Sequence, residues 1–208
     1  MNAEAILRRA PVIPVLTIER EEDAVPLARA LVGGGLVVLE VTLRTPAALS
    51  AMKRIAAEVP DALLGAGTVL SQRDYDAARA AGARFALSPG YVEDLKVDAA
   101  APFIPGIATA SELMRGLDAG FSVFKFFPAG PLGGPAALRA LGGPLPAAKF
   151  CPTGGVDLKN ARSYLDLPNV LCVGGSWLAP IATVAAGDWA QIGALAAEAA
   201  QLGVAPAR

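Results

Sequence analysis

The chain has 208 residues, 54% of them hydrophobic and 18% charged, with a formal net charge of −1. That length suits a single domain over 1–208, the near-neutral charge offers no basic field to a nucleic acid, and no stretch reaches the ~18 uncharged apolar residues of a membrane span. The absence of histidine excludes a Ser-His-Asp triad, a Cys-His pair and any metal site needing imidazole, leaving acid–base work to carboxylates, lysine, tyrosine or water.

Residues 1–9 suggest a short amphipathic helix without the apolar core and cleavage site of a signal peptide, which predicts a cytoplasmic protein. From there, short β-branched or aromatic runs alternate with longer Ala-rich segments, the pattern of repeated βα units on a parallel sheet. The predicted strands are Val12–Thr17, Val37–Leu43, Leu63–Val69, Phe85–Pro89, Phe103–Ile107, Val123–Phe127, Lys149–Thr153 and Val170–Val173. Helices are expected near 23–33, 46–58, 72–81, 91–100, 110–119, 135–141, 158–165 and 189–201. Eight such units predict an α/β fold, a single closed (β/α)8 TIM barrel with an extra N-terminal helix. A doubly wound open sheet is the runner-up, but its Gly-rich dinucleotide fingerprint after the first strand is missing. Gly33-Gly34-Gly35 and Ala81-Gly82-Ala83 look like helix stops. Cys151 and Cys172, embedded in strand runs, are expected as buried free thiols.

The chemistry should gather at the C-terminal ends of the strands, where the loops of a barrel build its active site. Lys125 lies inside the apolar run Val123-Phe124-Lys125-Phe126-Phe127. Burial disfavours the charged form of a lysine, and a desolvated amine can attack a carbonyl. Of the five lysines only Lys125 and Lys149 fall in strand runs, and Lys149 opens its strand, at the opposite end. Glu40 is the only acidic residue in any predicted strand; with period-two alternation it shares a face with Val38, Thr42 and Arg44. A buried carboxylate needs a partner. An ion pair with Arg44 or Lys125 could merely close the interior, but a carboxylate beside a desolvated lysine is what imine formation and proton transfer at the adjacent carbon require. Thr153-Gly154-Gly155 and Gly174-Gly175-Ser176 follow neighbouring strands. Glycine lets backbone N–H groups approach an anion closely, so the two loops point to phosphate. Arg44, a two-pronged donor, could hold a second anion such as a carboxylate together with Thr68.

The motifs Leu39-Glu40-Val41-Thr42-Leu43-Arg44-Thr45, Gly65-Ala66-Gly67-Thr68-Val69-Leu70, Phe124-Lys125-Phe126-Phe127-Pro128-Ala129, Phe150-Cys151-Pro152-Thr153-Gly154-Gly155 and Gly174-Gly175-Ser176-Trp177 together resemble the 2-dehydro-3-deoxy-6-phosphogluconate (KDPG) and 4-hydroxy-2-oxoglutarate (KHG) aldolases over nearly the whole chain. The resemblance implies a class I, metal-independent aldolase of the Entner–Doudoroff pathway, a homotrimer without cofactor. It would split a phosphorylated 2-keto acid into pyruvate and glyceraldehyde 3-phosphate, and 4-hydroxy-2-oxoglutarate into pyruvate and glyoxylate. Carried over by residue, Lys125 forms the Schiff base and Glu40 shuttles protons. Arg44 and Thr68 receive the carboxylate, with Thr153 lining the site; Gly154, Gly155 and Ser176 contact the phosphate; Pro89 and Phe127 shape the pocket. The sequence departs from the family's pattern after Lys125, where Gly130-Pro131 stands and relatives carry a glutamate at 130. Two other readings of the same residues are a phosphosugar isomerase or epimerase with Glu40 as base, and a non-catalytic sugar-phosphate binder. Neither accounts at once for an apolar lysine, an inward carboxylate and a two-anion mouth.

Overall fold

The computed structural model describes residues 1–203, so the last five residues of the expected 1–208 domain lie outside it. The N-terminal helix α1 (Ala3–Leu7), capped by the Asn2 side chain, precedes strand β1 (Val12–Leu16). There follow α2 (Ala24–Gly33), β2 (Val38–Thr42), α3 (Ala48–Glu58), β3 (Leu63–Gly67), α4 (Gln72–Ala80) and β4 (Phe85–Leu87). The second half holds β5 (Phe103–Ile104), β6 (Gly106–Ile107), α5 (Ala110–Asp118), β7 (Val123–Phe126), α6 (Gly134–Gly142) and β8 (Lys149–Pro152). It closes with α7 (Ala161–Leu165), β9 (Val173–Gly175), α8 (Ile181–Ala185) and α9 (Trp189–Ala200). No helix of the described residues is long and apolar enough to cross a membrane.

The expectation of a closed eight-stranded barrel is overturned. All strand pairs are parallel, but they form a six-stranded sheet, in the order β5-β4-β3-β2-β1-β9, and a separate three-stranded sheet, β6-β7-β8. Each seam falls at a proline whose missing N–H faces it, because a proline cannot donate to a ladder. The run 103–107 is divided at Pro105, which accepts from Lys125 N at 2.9 Å and has no hydrogen to return. Its first half therefore pairs with β4 and its second half with β7. At the other seam, Phe150 N donates to Asn169 O at 2.8 Å and Phe150 O accepts from Leu171 N at 2.9 Å. The next donor on that side would be Pro152, so only the isolated bridges Phe150–Val170 and Thr153–Gly174 join β8 to the β9 run.

Helices cover the strands with stripes of small and branched residues. Ala48, Ala51, Met52 and Ile55 of α3 are buried at the spacing of one helix face. Gly34 lets α9 come close: a Cβ there would lie 2.7 Å from Gly193 O. The expected helix over 91–100 does not form. Asp94 takes the left-handed backbone conformation, at φ 56°, that breaks a helix. The segment is held sideways onto α4, with Lys96 N donating to Gln72 Oε1 at 2.8 Å and Asp98 N to Tyr75 Oη at 2.9 Å. Tertiary bonds thus take the place of helical ones. The short α8, which has no buried residue, was not expected, and β9 lies a few residues beyond the predicted run 170–173.

Candidate active site

Lys125 sits in the middle of β7, level with Cys151 on β8 and Gly106 on β6. Its run alternates as expected. Phe124 packs outward on α5, where a Cβ on Gly116 would meet its ring, while Lys125 points inward. Glu40 sits in the middle of β2, in the other sheet, level with Val15 and Gly65. The two side chains meet across the interior: Lys125 Nζ donates to Glu40 Oε1 at 2.7 Å, with side-chain exposures of 4% and 1%. Removing either partner would leave a buried, unpaired charge, a change that typically costs about 3–5 kcal/mol. The Phe127 ring stands 5.9 Å from Lys125 Nζ and screens the amine from one side.

The remaining expected residues lie at the C-terminal ends of the strands. Arg44, exposed after β2, donates through Nε to Thr68 Oγ1 at 3.1 Å. Thr68 follows β3 with φ 60°, the left-handed region, so its hydroxyl is turned back toward the neighbouring strand. Thr153, buried at the end of β8, bridges to Gly174 of β9, and its hydroxyl lies 3.9 Å from Cys151 Sγ. Gly154 and Gly155 both have positive φ, 90° and 73°, and Ala129 N and Gly130 N donate to Thr153 O and Gly154 O at 2.8 Å. A Cβ on Gly154 would stand 3.1 Å from the Phe127 ring, and one on Gly130 3.3 Å from Gly155 Cα, so these two loops fit face to face. Gly130 is thus part of a tight loop junction. Among the described residues the N–H groups of Gly154, Gly155 and Ser176 have no internal acceptor, which leaves three donors on adjacent loops for an anion. Pro89 packs on Gly106, the neighbour of Lys125. Neither Pro89 nor the exposed Ser176 makes a bond to the Lys125–Glu40 pair.

Cys151 and Cys172 are buried free thiols, as expected from their strand runs. Cys172 is fully buried, and its thiol is pushed well above the ordinary range, first by burial, then by the neighbouring Cys151 side chain, and by the negative charge of Glu40. Its position before β9 carried no chemical signal, because the predicted strand gave no way to tell which strand it would face. No group of three or more His, Cys, Asp or Glu side chains among the described residues is arranged to hold a metal.

Residues 3–195 match the family described as KDPG and KHG aldolase. A 2-dehydro-3-deoxy-phosphogluconate aldolase from Pseudoalteromonas atlantica is 53% identical over 203 residues, covering 96% of this chain and 94% of its own. A KHG/KDPG aldolase from Escherichia coli is 51% identical, covering 96% and 95%. A KDPG aldolase from Legionella pneumophila, solved with pyruvate captured as a covalent carbinolamine intermediate, superposes with a TM-score of 0.91 at 48% identity, covering 95% of this chain and 97% of that one.

Proposed function

The chain belongs to the KDPG and KHG aldolase family, and from that premise we propose that it cleaves 2-dehydro-3-deoxy-6-phosphogluconate to pyruvate and glyceraldehyde 3-phosphate through a Schiff base on Lys125. The observation that carries this reading is the buried 2.7 Å contact between Lys125 Nζ and Glu40 Oε1. A proton moving to Glu40 within that bond leaves a free amine beside a carboxylic acid, and both are needed to build an imine.

The reaction then runs in balanced steps. Lys125 Nζ adds to the C2 ketone, and the resulting carbinolamine loses water to give a protonated imine. Glu40, directly or through one water, takes the proton of the C4 hydroxyl. The C3–C4 bond breaks, its electron pair flows into the imine to form an enamine, and glyceraldehyde 3-phosphate leaves. Glu40 returns its proton to C3, and hydrolysis of the pyruvate imine frees Lys125. Arg44 and Thr68, already 3.1 Å apart, hold the substrate carboxylate, with Thr153 lining the site. Gly154, Gly155 and Ser176 offer their N–H groups to the phosphate, and Pro89 and Phe127 shape the wall. The same carboxylate and ketone contacts serve 4-hydroxy-2-oxoglutarate, which gives pyruvate and glyoxylate.

No step asks for a metal or a cofactor, so turnover should survive exhaustive chelation. The enzyme works as a homotrimer, a reading supported by the family. A cytoplasmic enzyme is in keeping with its phosphorylated substrate, whose charge holds it in the compartment where it is made. The decisive experiment is mass spectrometry after incubation with pyruvate and borohydride. One reduced pyruvyl adduct should appear, on Lys125, and be lost in Lys125→Met. An unmodified chain, or an adduct on another lysine, would overturn the assignment.

A further inference from the structure

Glu40 is rooted at the wrong height for its task. Its Cα is level with Gly65 on the adjacent strand, yet its carboxylate lies against Gly67, two residues or about 6.6 Å further toward the C-terminal edge. A Cβ built on Gly67 would fall inside the van der Waals envelope of Glu40 Oε1, the atom that accepts from Lys125, and would stand 2.7 Å from Cδ and 2.8 Å from Cγ. Gly67 does not need to be glycine for its backbone. It is the last residue of β3, in extended conformation, with its carbonyl accepting from Leu43 N at 2.9 Å. The space above its Cα is the only apparent reason for the residue, and the Glu40 carboxyl fills that space.

We propose that Gly67 is a positioning residue for the aldolase reaction: the missing side chain forms the slot along which Glu40 leans up its sheet to reach the amine of Lys125 in the other one. Gly67 carries no reacting group of its own, and it acts through the place it leaves for Glu40. A methyl group in the slot would push the carboxylate back toward the level of Gly65, where the neighbouring space is taken by the Phe85 ring. The amine would keep its place on β7 and lose its base.

The inference rests on the proposed imine chemistry, and the test separates the two. Exchange of pyruvate methyl protons with deuterated solvent reports the base; borohydride trapping reports the amine. In Gly67→Ala, exchange and kcat should fall on the order of 10²-fold, at the lower end of what general acid–base catalysis contributes. Trapping should persist on Lys125, though more slowly, and KM for the phosphorylated substrate should stay within about threefold because the anion contacts are untouched. Stability supplies a second reading. Gly67→Ala should lower Tm when Glu40 is present and leave it unchanged in a Glu40→Ala background, where the slot is empty; exchange in that background should not fall further. Wild-type exchange in Gly67→Ala, or an equal loss of Tm in both backgrounds, would overturn the proposal. Should Gly67→Ala fail to fold, a folded Glu40→Ala/Gly67→Ala protein supports the slot and an unfolded one refutes it. Absence of trapping in the wild-type enzyme would sink the reading of the reaction, while the comparison of Tm values would still decide the role of Gly67.

Discussion

A charged pair enclosed at side-chain exposures of 4% and 1% survives because each partner supplies what burial took from the other. The same enclosure governs the thiol nearby. Cys172 is surrounded by apolar groups and faces the negative charge of Glu40, so its thiolate is disfavoured, and thiolate is the reactive form. Iodoacetamide at pH 8 should therefore leave Cys172 intact in the native enzyme over a period that labels it fully in denaturant, as peptide mass spectrometry would report. Native labelling at the denatured rate would contradict the enclosure. Lys125 and Glu40 were legible because each breaks a pattern: a lysine within an apolar run, and the one acidic residue in any predicted strand. Gly67 was legible only as part of the motif Gly65-Ala66-Gly67-Thr68 within a predicted strand, since the space a glycine leaves is visible only once the neighbouring strand is in place.

Helix α5 shows how an element announces itself. Thr109 and Glu112 stand at the spacing of a capping box, and both halves are present: Glu112 N donates to Thr109 Oγ1 at 3.2 Å, and Thr109 N to Glu112 Oε2 at 2.8 Å. Burial pushes the Glu112 carboxyl up, but the N–H of Ala108, the hydroxyl and N–H of Thr109 and the charge of Arg115 outweigh it and hold the group below the ordinary range. A carboxyl depressed in the folded state adds stability above its unfolded value, about 4.3, and loses that contribution as pH falls through the folded value. Chemical denaturation at pH 7 should find Thr109→Ala less stable by about 1 kcal/mol. Glu112→Gln should also be less stable there, with its deficit shrinking below about pH 4; a deficit constant down to pH 2 would contradict the cap. Other elements were hidden. The 91–100 segment has a helical composition, but Asp94 and the bonds to Gln72 and Tyr75 override it. Pro105 and Pro152 were visible in their strands, and only the direction each faces made them boundaries.

The whole molecule presents apolar surface: Ile181 is 83% exposed on α8, and Leu70 and Met114 are each 58% exposed. These side chains lie on three different segments, and single exposed apolar residues are normal on a protein surface, so the proposed homotrimer is supported by the family alone. Light scattering at micromolar concentration should give three times the chain mass, and a monomer would count against the homotrimer. The division into two sheets has another consequence. The proposed catalytic pair spans the division, 85 residues apart in the chain, with its carboxylate in one sheet and its amine in the other. A nascent chain that has emerged only through β6 holds Glu40 without Lys125. On the proposed roles, reactivity toward ketones waits until both sheets are in place, so each active molecule certifies its own completed assembly.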